Sequence, residues 1–369
     1  MPRSKKQETI RFASMPEARD VPVIIDRKPT YSPTNTYVPY GRDNKFPDYL
    51  SALNINSPLM SAITRTMKDF VFGNGVEFSN DVLAKLIGNN KRNLNLLVKN
   101  IVADKVLYDA FAIKLTYNRK GEIAKISHVD IRDLRLNLEG DTAYFSKSWG
   151  QGSRQDVVEY KTYEHFTFGE DGYECIVYDK GDARGVYAIP SYVGALRAIE
   201  TSIEIQKFHF SSIQNNLAVA SIININDADS YTEEEKQQVE KKIKENFTGS
   251  SNGSQVMVAF NSTADNQVTI SRLQDDTYDQ KYQSLNESTT KAIFTAFRMQ
   301  SILCGFLSEG IGFNSQEYAE SFAVYQQTVI SPIQDHIMDA FDSIFGEGSL
   351  TFNEFKLIPP QQNSTPVAE

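Results

Sequence analysis

The stretch "PSYVGALRAIETSIEIQKFHFSSIQ", residues 190–214, limits the possible folds more than any other part of the chain. Its Tyr192, Leu196, Ile199, Ile203, Phe210 and Ile213 recur at three- and four-residue intervals, which a helix gathers on one face. Pro190 suits a first helical turn, where its missing N–H is no loss. At 1.5 Å per residue the helix would be roughly 35 Å long, above the globular average. Residues 276–298 form a second long helical pattern, and a third opens at Asn314. The fold must therefore hold a long helix, an insertion and a second long helix.

The insertion reads as a small β-α-β-β module over residues 216–273. "LAVASIINI", "QVMVAF" and "QVTISRL" are its strands. "YTEEEKQQVEKKIKENFTG" is its helix, with Thr232 and Glu235 spaced as a capping box and Gly249 as the stop. The apolar stripe of that helix is thin (Val239, Ile243, Phe247), so it lies on a surface. Its polar face carries Glu233, Glu234, Lys236 and Gln237.

Upstream, eight of the 13 prolines fall in residues 1–58. Residues 1–44 read as an extended, basic, proline-rich arm with little core. Ser57, Pro58 and Gly73 punctuate a helix that carries Leu59, Ile63, Met67 and Phe70 on one face. A second helix spans about 93–107, with Leu94, Leu97, Val98 and Ile101 inward. The period then changes to two. A hairpin turns at 118–121, and residues 111–180 read as a mostly antiparallel sheet packed on helices. The fold class is α+β.

Between the second and third long helices runs "ILCGFLSEGIGFNSQEYAE". Gly305, Gly310 and Gly312 are set among Phe306, Leu307, Ile311 and Phe313, with Ser308 and Glu309 the polar members. Glycine favours a loop and phenylalanine favours burial, so either the phenylalanines tuck into the chain's own core between the two helices or another surface covers them. Asn314 and Glu317 sit in capping-box positions for the third helix. Its stripe is Tyr318, Phe322, Tyr325, Val329, Ile333, Ile337 and Phe341, and Pro332 should kink it.

Charge is unevenly placed. The chain has 369 residues and net charge −9, and residues 299–355 contain eight acids and no Lys or Arg, so that segment alone carries −8. The bland alternative is a solvated acidic helix face. No apolar run approaches the ~18 residues of a membrane span, and the N-terminus lacks the apolar core of a secretory signal. Two distant cysteines, Cys175 and Cys304, imply a reducing compartment and no disulfide framework. Histidines 128, 165, 209 and 336 have no partner at metal-ligand spacing. The glycine-rich "GNGVEF" and "GSSNGSQV" lack the lysine of a phosphate loop. "NINDADSYTEEE" lacks the turn glycine of a calcium loop. Asp227 and Asp229 could hold Mg2+, but acids at turns are common on surfaces. No catalytic residue, metal or cofactor is expected.

The order of parts resembles the portal proteins of tailed bacteriophages, of the smaller kind seen in Bacteroides-type phages and prophages. The stretches that carry the resemblance are "SPLMSAITRTMKDFVFGNGV", "VYAIPSYVGALRAIETSIEIQKFHFSSIQNNLAVASIININ", "TEEEKQQVEKKIKENFTGSSNGSQVMVAF" and "STTKAIFTAFRMQSILCGFLSEGIGFNS", within about residues 40–346. The resemblance implies a wing at 45–189, stem helices at 190–214 and 275–298, and a clip at 215–274. A tunnel loop follows at 299–315, a long kinked helix at 316–346, and a strand and tail at 347–369. The chain is short for that family, so a C-terminal crown should be small or absent.

The family implies a ring, usually twelve-fold, at one capsid vertex of the virion, assembled in the host cytoplasm. Double-stranded DNA passes through it non-specifically. Gly305, Phe306, Leu307, Ser308, Glu309, Gly310, Ile311, Gly312 and Phe313 would line the channel. Glu233, Glu234, Lys236 and Gln237 of the clip would meet the terminase large subunit and the head–tail adaptor, and the major capsid protein would surround the ring. An acidic wall suits a conduit, because it repels phosphate rather than holding it. Two other classes fit less of the pattern: an adaptor that binds proteins through its acidic C-terminal helix, and a metal-dependent nuclease built on Asp227 and Asp229.

Overall fold

A computed structural model describes residues 37–86, 90–149, 157–181, 183–214, 221–225, 232, 234–238, 256–260, 278–305, 314–353 and 355. Helices α1 (Phe46–Asn56) and α2 (Pro58–Phe72) meet at a fully buried Ser57. Its N–H bonds Leu53 O and closes α1, and its Oγ accepts from Met60 N and opens α2. This is the cap that Ser57-Pro58 foretold. Met60, Ile63, Met67 and Phe70 of α2 are buried. Strand β1 (Val76–Phe78) and the short α3 (Asn80–Lys85) lead to α4 (Lys91–Tyr108), which packs on α2 and buries Leu94, Leu97, Val98 and Ile101. Burying each such aliphatic side chain is worth about 1.5–3 kcal/mol.

The β region is two antiparallel sheets rather than one. β2 (Phe111–Tyr117) lies between β3 (Ile123–Val129) and β7 (Glu174–Asp179). β5 (Thr142–Phe145) lies between β4 (Leu134–Leu136) and β6 (Val158–Lys161). A 3-10 turn at Ile131–Asp133, capped by Asp130 on Arg132 N, redirects the chain between them. The expected hairpin joins β2 to β3, with Gly121 at φ 82°.

Residues 37–44 pack against the body rather than forming an arm, with Tyr40 buried and Arg42 and Asp43 exposed. Val38 N–H bonds Leu136 O at 2.8 Å. Tyr40 is fully buried, stacks on Tyr187 at 4.1 Å and donates to Ala188 O. Beside it lies Arg135, also fully buried. No carboxylate meets its guanidinium among the described residues. It donates instead to Asn44 Oδ1 and to the carbonyls of Asn44, Arg132 and Leu134, beside the rings of Tyr40 and Trp149. Burial lowers its pKa.

The helix expected from Pro190 begins at Leu196. Pro190 O and Tyr192 O accept from the N–H three residues on, so the chain first makes a 3-10 turn at Val193–Ala195. Helix α5 (Leu196–Gln214) is therefore 19 residues, or about 28 Å at 1.5 Å per residue. Strands β8 (Ser221–Ile225) and β9 (Val256–Phe260) follow and pair in parallel, which requires a crossover between them. The Thr232–Glu235 capping box is formed in both directions, at 2.9 and 3.3 Å. The expected third strand, 267–273, lies outside the described residues.

Helix α6 (Tyr278–Ala296) returns along α5. Helix α7 (Ser315–Tyr325) continues through a π-helical turn, Gln326–Ile330, into α8 (Ser331–Phe345). Pro332 cannot donate its missing N–H and crowds the preceding turn, which fits the wider turn just before it. The extra residue moves the apolar stripe by one: Ile330 is fully buried while Val329 is half-buried. Gln334 Nε2 donates to Val71 O and satisfies a carbonyl at the end of α2. Finally β10 (Leu350–Phe352) pairs antiparallel with β1, Val76 opposite Phe352. Gly73 sits against Asn353 O so closely that a Cβ there would overlap it.

Candidate functional site

The site is the paired helices α5 and α6, with the strands at one end and the glycine loop at the other. Aromatic stacks fix how the helices run. Tyr192, just before α5, stacks on Phe297, just after α6, at 4.5 Å. Sixteen residues on, Phe208 stacks on Tyr282 at 5.0 Å with rings 1° apart. The pairing 192 with 297 and 208 with 282 makes the helices antiparallel.

Burial divides the pair into a base and a tip. At the base Leu196, Ile199, Ile203, Ile293, Phe294 and Phe297 are buried. Toward the strands Phe208, Phe210 and Leu285 are 44%, 62% and 43% exposed. Of the expected stripe, Tyr192, Leu196, Ile199 and Ile203 are inward and Phe210 is not, so the helix outruns the core it starts from. Exposed apolar side chains grouped along one helix pair form the kind of surface that a partner can cover.

Both ends of the glycine loop are pinned. After α6, Arg298 adopts φ 53°, and the chain makes a 3-10 turn at Ser301–Cys304 that buries Ile302 and Leu303. Cys304 Sγ lies 3.0 Å from Met299 Sδ and 3.8 Å from Thr66 Oγ1 on α2. Burial raises the Cys304 thiol above its usual range, which leaves it a packing group. Gly305 ends the turn at φ 72°, where a side chain would be strained. On the far side Asn314 Oδ1 accepts from Gln316 N and Glu317 N and starts α7. Ser321 Oγ meets Gln300 Oε1 and ties α7 to the 3-10 turn. The expected channel residues Phe306, Leu307, Ser308, Glu309, Gly310, Ile311, Gly312 and Phe313 lie outside the described residues, so only Gly305 of that set has a place here.

On the inserted module Glu234 and Gln237 are exposed and Lys236 is half-buried, within a helical turn over 234–238. Glu233 lies outside the described residues, as do Asp227 and Asp229. Among the described residues no three His, Cys, Asp or Glu side chains gather as a metal site.

The acidic segment is mostly solvated. Glu317, Glu320, Asp335, Asp339 and Glu347 are exposed, and none forms an ion pair among the described residues. Asp342 differs, because it accepts from Ser349 N and Oγ at 3.0 and 2.8 Å. Burial opposes its charge, but these bonds and that of Gly348 N hold its pKa below the usual value. It fastens the turn before β10.

Two histidines that the sequence left without partners are paired in space. His128 Nε2 lies 2.7 Å from Asp104 on α4, and His336 Nε2 lies 2.6 Å from Asp179 on β7. Each joins a helix to a strand far away in sequence, so no local spacing announces it.

The overall arrangement has counterparts of known structure. A chain in the neck of an empty gene transfer agent particle, computed with C6 symmetry, superposes with TM-score 0.56 over 88% of this chain and 87% of that one, at 11% identity. This chain has the fold of that neck component. A chain in the neck of the native particle, computed with C12 symmetry, gives TM-score 0.52, 12% identity, and coverage of 84% and 85%. A weaker likeness, TM-score 0.48 at 9% identity over 82% of this chain and 95% of that one, is to an HK97 family phage portal protein from Corynebacterium diphtheriae. No protein-family model and no curated protein matches the sequence.

Proposed function

We propose that this chain is the portal subunit of a tailed phage or prophage. It forms a closed ring at one capsid vertex of the virion, and double-stranded DNA is packaged and ejected through that ring. The observation that carries this reading is the antiparallel α5–α6 pair. It presents a strand module at one end and a pinned glycine-hydrophobic loop at the other, in a fold shared along most of its length with particle-neck chains.

The exposed Phe208, Phe210 and Leu285 are the surface that neighbouring copies cover. A closed ring uses two different faces of each copy, so every subunit can satisfy both. Twelve copies are proposed, the symmetry used for one of the related particles. Residues 305–313 face the lumen, where Glu309 sets a girdle of about one negative charge per subunit. The exposed acids of α7 and α8 keep the wall from gripping phosphate.

The module at 215–274 is the docking surface for the terminase large subunit and the head–tail adaptor, through Glu233, Glu234, Lys236 and Gln237. The major capsid protein holds the ring from outside. Assembly takes place in the bacterial cytoplasm. The chain itself does no catalysis, and energy for packaging comes from a separate ATPase.

Light scattering on the purified protein tests the core of this reading. The expected particle is roughly half a megadalton, twelve copies of a 41.6 kDa chain in a closed ring. A well-folded 41.6 kDa monomer at micromolar concentration overturns it.

A further inference from the structure

Helix α2 is flanked by α4 on one side and α7 on the other. Phe70 and Phe72 are two residues apart on α2, which turns their side chains about 200° from each other around the helix. The Phe70 ring meets Phe322 and Tyr325 of α7 at 5.1 and 6.5 Å. The Phe72 ring lies under Lys99 of α4, whose Nζ is 4.7 Å from its centroid. The outer faces of α4 and α7 are therefore on different sides of the subunit.

Those outer faces are opposite in charge. α4 buries Leu94, Leu97, Val98 and Ile101 and exposes Arg92, Leu96 and Lys99. Spacings of four and three residues set these three in one row, with Leu96 in the middle. α7 buries Ser321, Phe322 and Tyr325 and exposes Glu317, Glu320 and Val324, again one row at helical spacing. Gln316 Nε2 donates to Glu320 at 2.9 Å and holds it in that row. Leu96 is 56% exposed and Val324 is 57% exposed. None of Arg92, Lys99, Glu317 and Glu320 forms an ion pair among the described residues. A basic row and an acidic row, each with one bare aliphatic side chain, complement each other. They cannot meet within one chain, because α2 stands between them.

We infer that α7 of one copy lies against α4 of the next, with Val324 on Leu96 and with Glu317 and Glu320 toward Arg92 and Lys99. The inference rests on the proposed ring and names the faces that close its body. The contact joins two different faces, so each copy offers one face to each neighbour and the contact repeats around the ring. It takes Glu317 and Glu320 out of the wall and leaves Asp335 and Asp339 of α8 exposed there.

Charge reversal read by light scattering tests this on the full chain. Arg92→Glu/Lys99→Glu makes both rows acidic, and Glu317→Lys/Glu320→Lys makes both basic. Each variant alone should fall from a ring of roughly half a megadalton to a 41.6 kDa monomer, with circular dichroism unchanged. Mixed one to one, the two variants can satisfy every contact by alternating, so the ring mass should return. It should also return in the chain that carries all four reversals. A Leu96→Cys/Val324→Cys chain should give a ladder of covalent multimers on oxidation, since its two new thiols stand on opposite sides of α2. Rings that persist in both charge variants overturn the inference. So do rings that neither mixing nor the four reversals restores, and so does a cysteine variant that stays monomeric on a denaturing gel. In each of these cases a wild-type ring leaves the proposed function standing. A wild-type monomer overturns the proposed function, and this contact with it.

Discussion

His336 on α8 holds Asp179 on β7 at 2.6 Å, and Gly181 N donates to the same carboxylate at 3.0 Å. Burial works to raise the Asp179 pKa, but these bonds, the charge of His336 and that of Lys105 outweigh it and hold it below 3.8. A carboxylate depressed in the fold stabilises the protein above its unfolded pKa, and the gain is lost as pH falls through the folded one. His336→Ala should cost about 1–3 kcal/mol at neutral pH. That deficit should shrink as the pH drops below the ordinary Asp value. Urea midpoints of both proteins from neutral to acid pH measure it, and a gap that holds constant through the acid range counts against the pairing.

Asp104 carries the opposite sign. Burial pushes its carboxyl up to about 6, against the hydrogen bond and charge of His128. A raised carboxyl contributes stability that is complete below its unfolded pKa of 3.8 and is lost as pH rises through about 6. Asp104→Asn does not titrate. Its stability relative to wild type should therefore improve steadily across that window, read from thermal midpoints in matched buffers. A flat difference across the window contradicts a buried, reluctant acid.

The π turn at Gln326–Ile330 holds one residue more than an α turn would. Deleting the exposed Gln327 should convert it to α while leaving the stripes of α7 and α8 in register. Deleting the exposed Asp339 from α8 should instead rotate Phe341 by about 100° out of the core. The first deletion should melt within a few degrees of wild type and the second should fail to fold cooperatively, by circular dichroism. Equal damage from both would show that the extra residue is not what sets the register.

Phe210 on α5 separates folding from assembly. It is 62% exposed, so Phe210→Ser should change the unfolding free energy by no more than about 0.5 kcal/mol. On the proposed function the same change should move the light-scattering mass from ring toward monomer. Rings that form normally would remove this face from the contact between copies.

Local features were legible in the sequence because their causes are local. Ser57-Pro58, the Thr232–Glu235 box, the Asn314 cap and the turn before Gly121 each bond within a few residues, and each formed as expected. The inward face of α4 followed from helical period alone, and so did that of α2 except at its start, where Met60 is buried and the expected Leu59 only half-buried. What escaped depends on distant partners. β1 meets β10 across more than 270 residues, the histidines find carboxylates on other elements, and Arg135 is buried against carbonyls that no motif encodes. The split into two sheets turned on one 3-10 turn, and the delayed start of α5 on two tight bonds after Pro190. Of the candidate site, the paired helices were legible and their exposed tip was not, because a stripe in sequence does not say where the core stops.

The pairing of Val76 with Phe352 also sets a timetable. At 5–20 residues per second, synthesis of the stretch between them takes roughly 15–55 seconds. For all that time β1 waits with one edge open, and Gly73 has no Asn353 carbonyl to lie against. The helix pair and its strand module are translated inside that interval, before the body that carries them is closed. The body closes only when residues 350–352 arrive, so the open edge of β1 and the close approach at Gly73 both wait on a strand made late in synthesis.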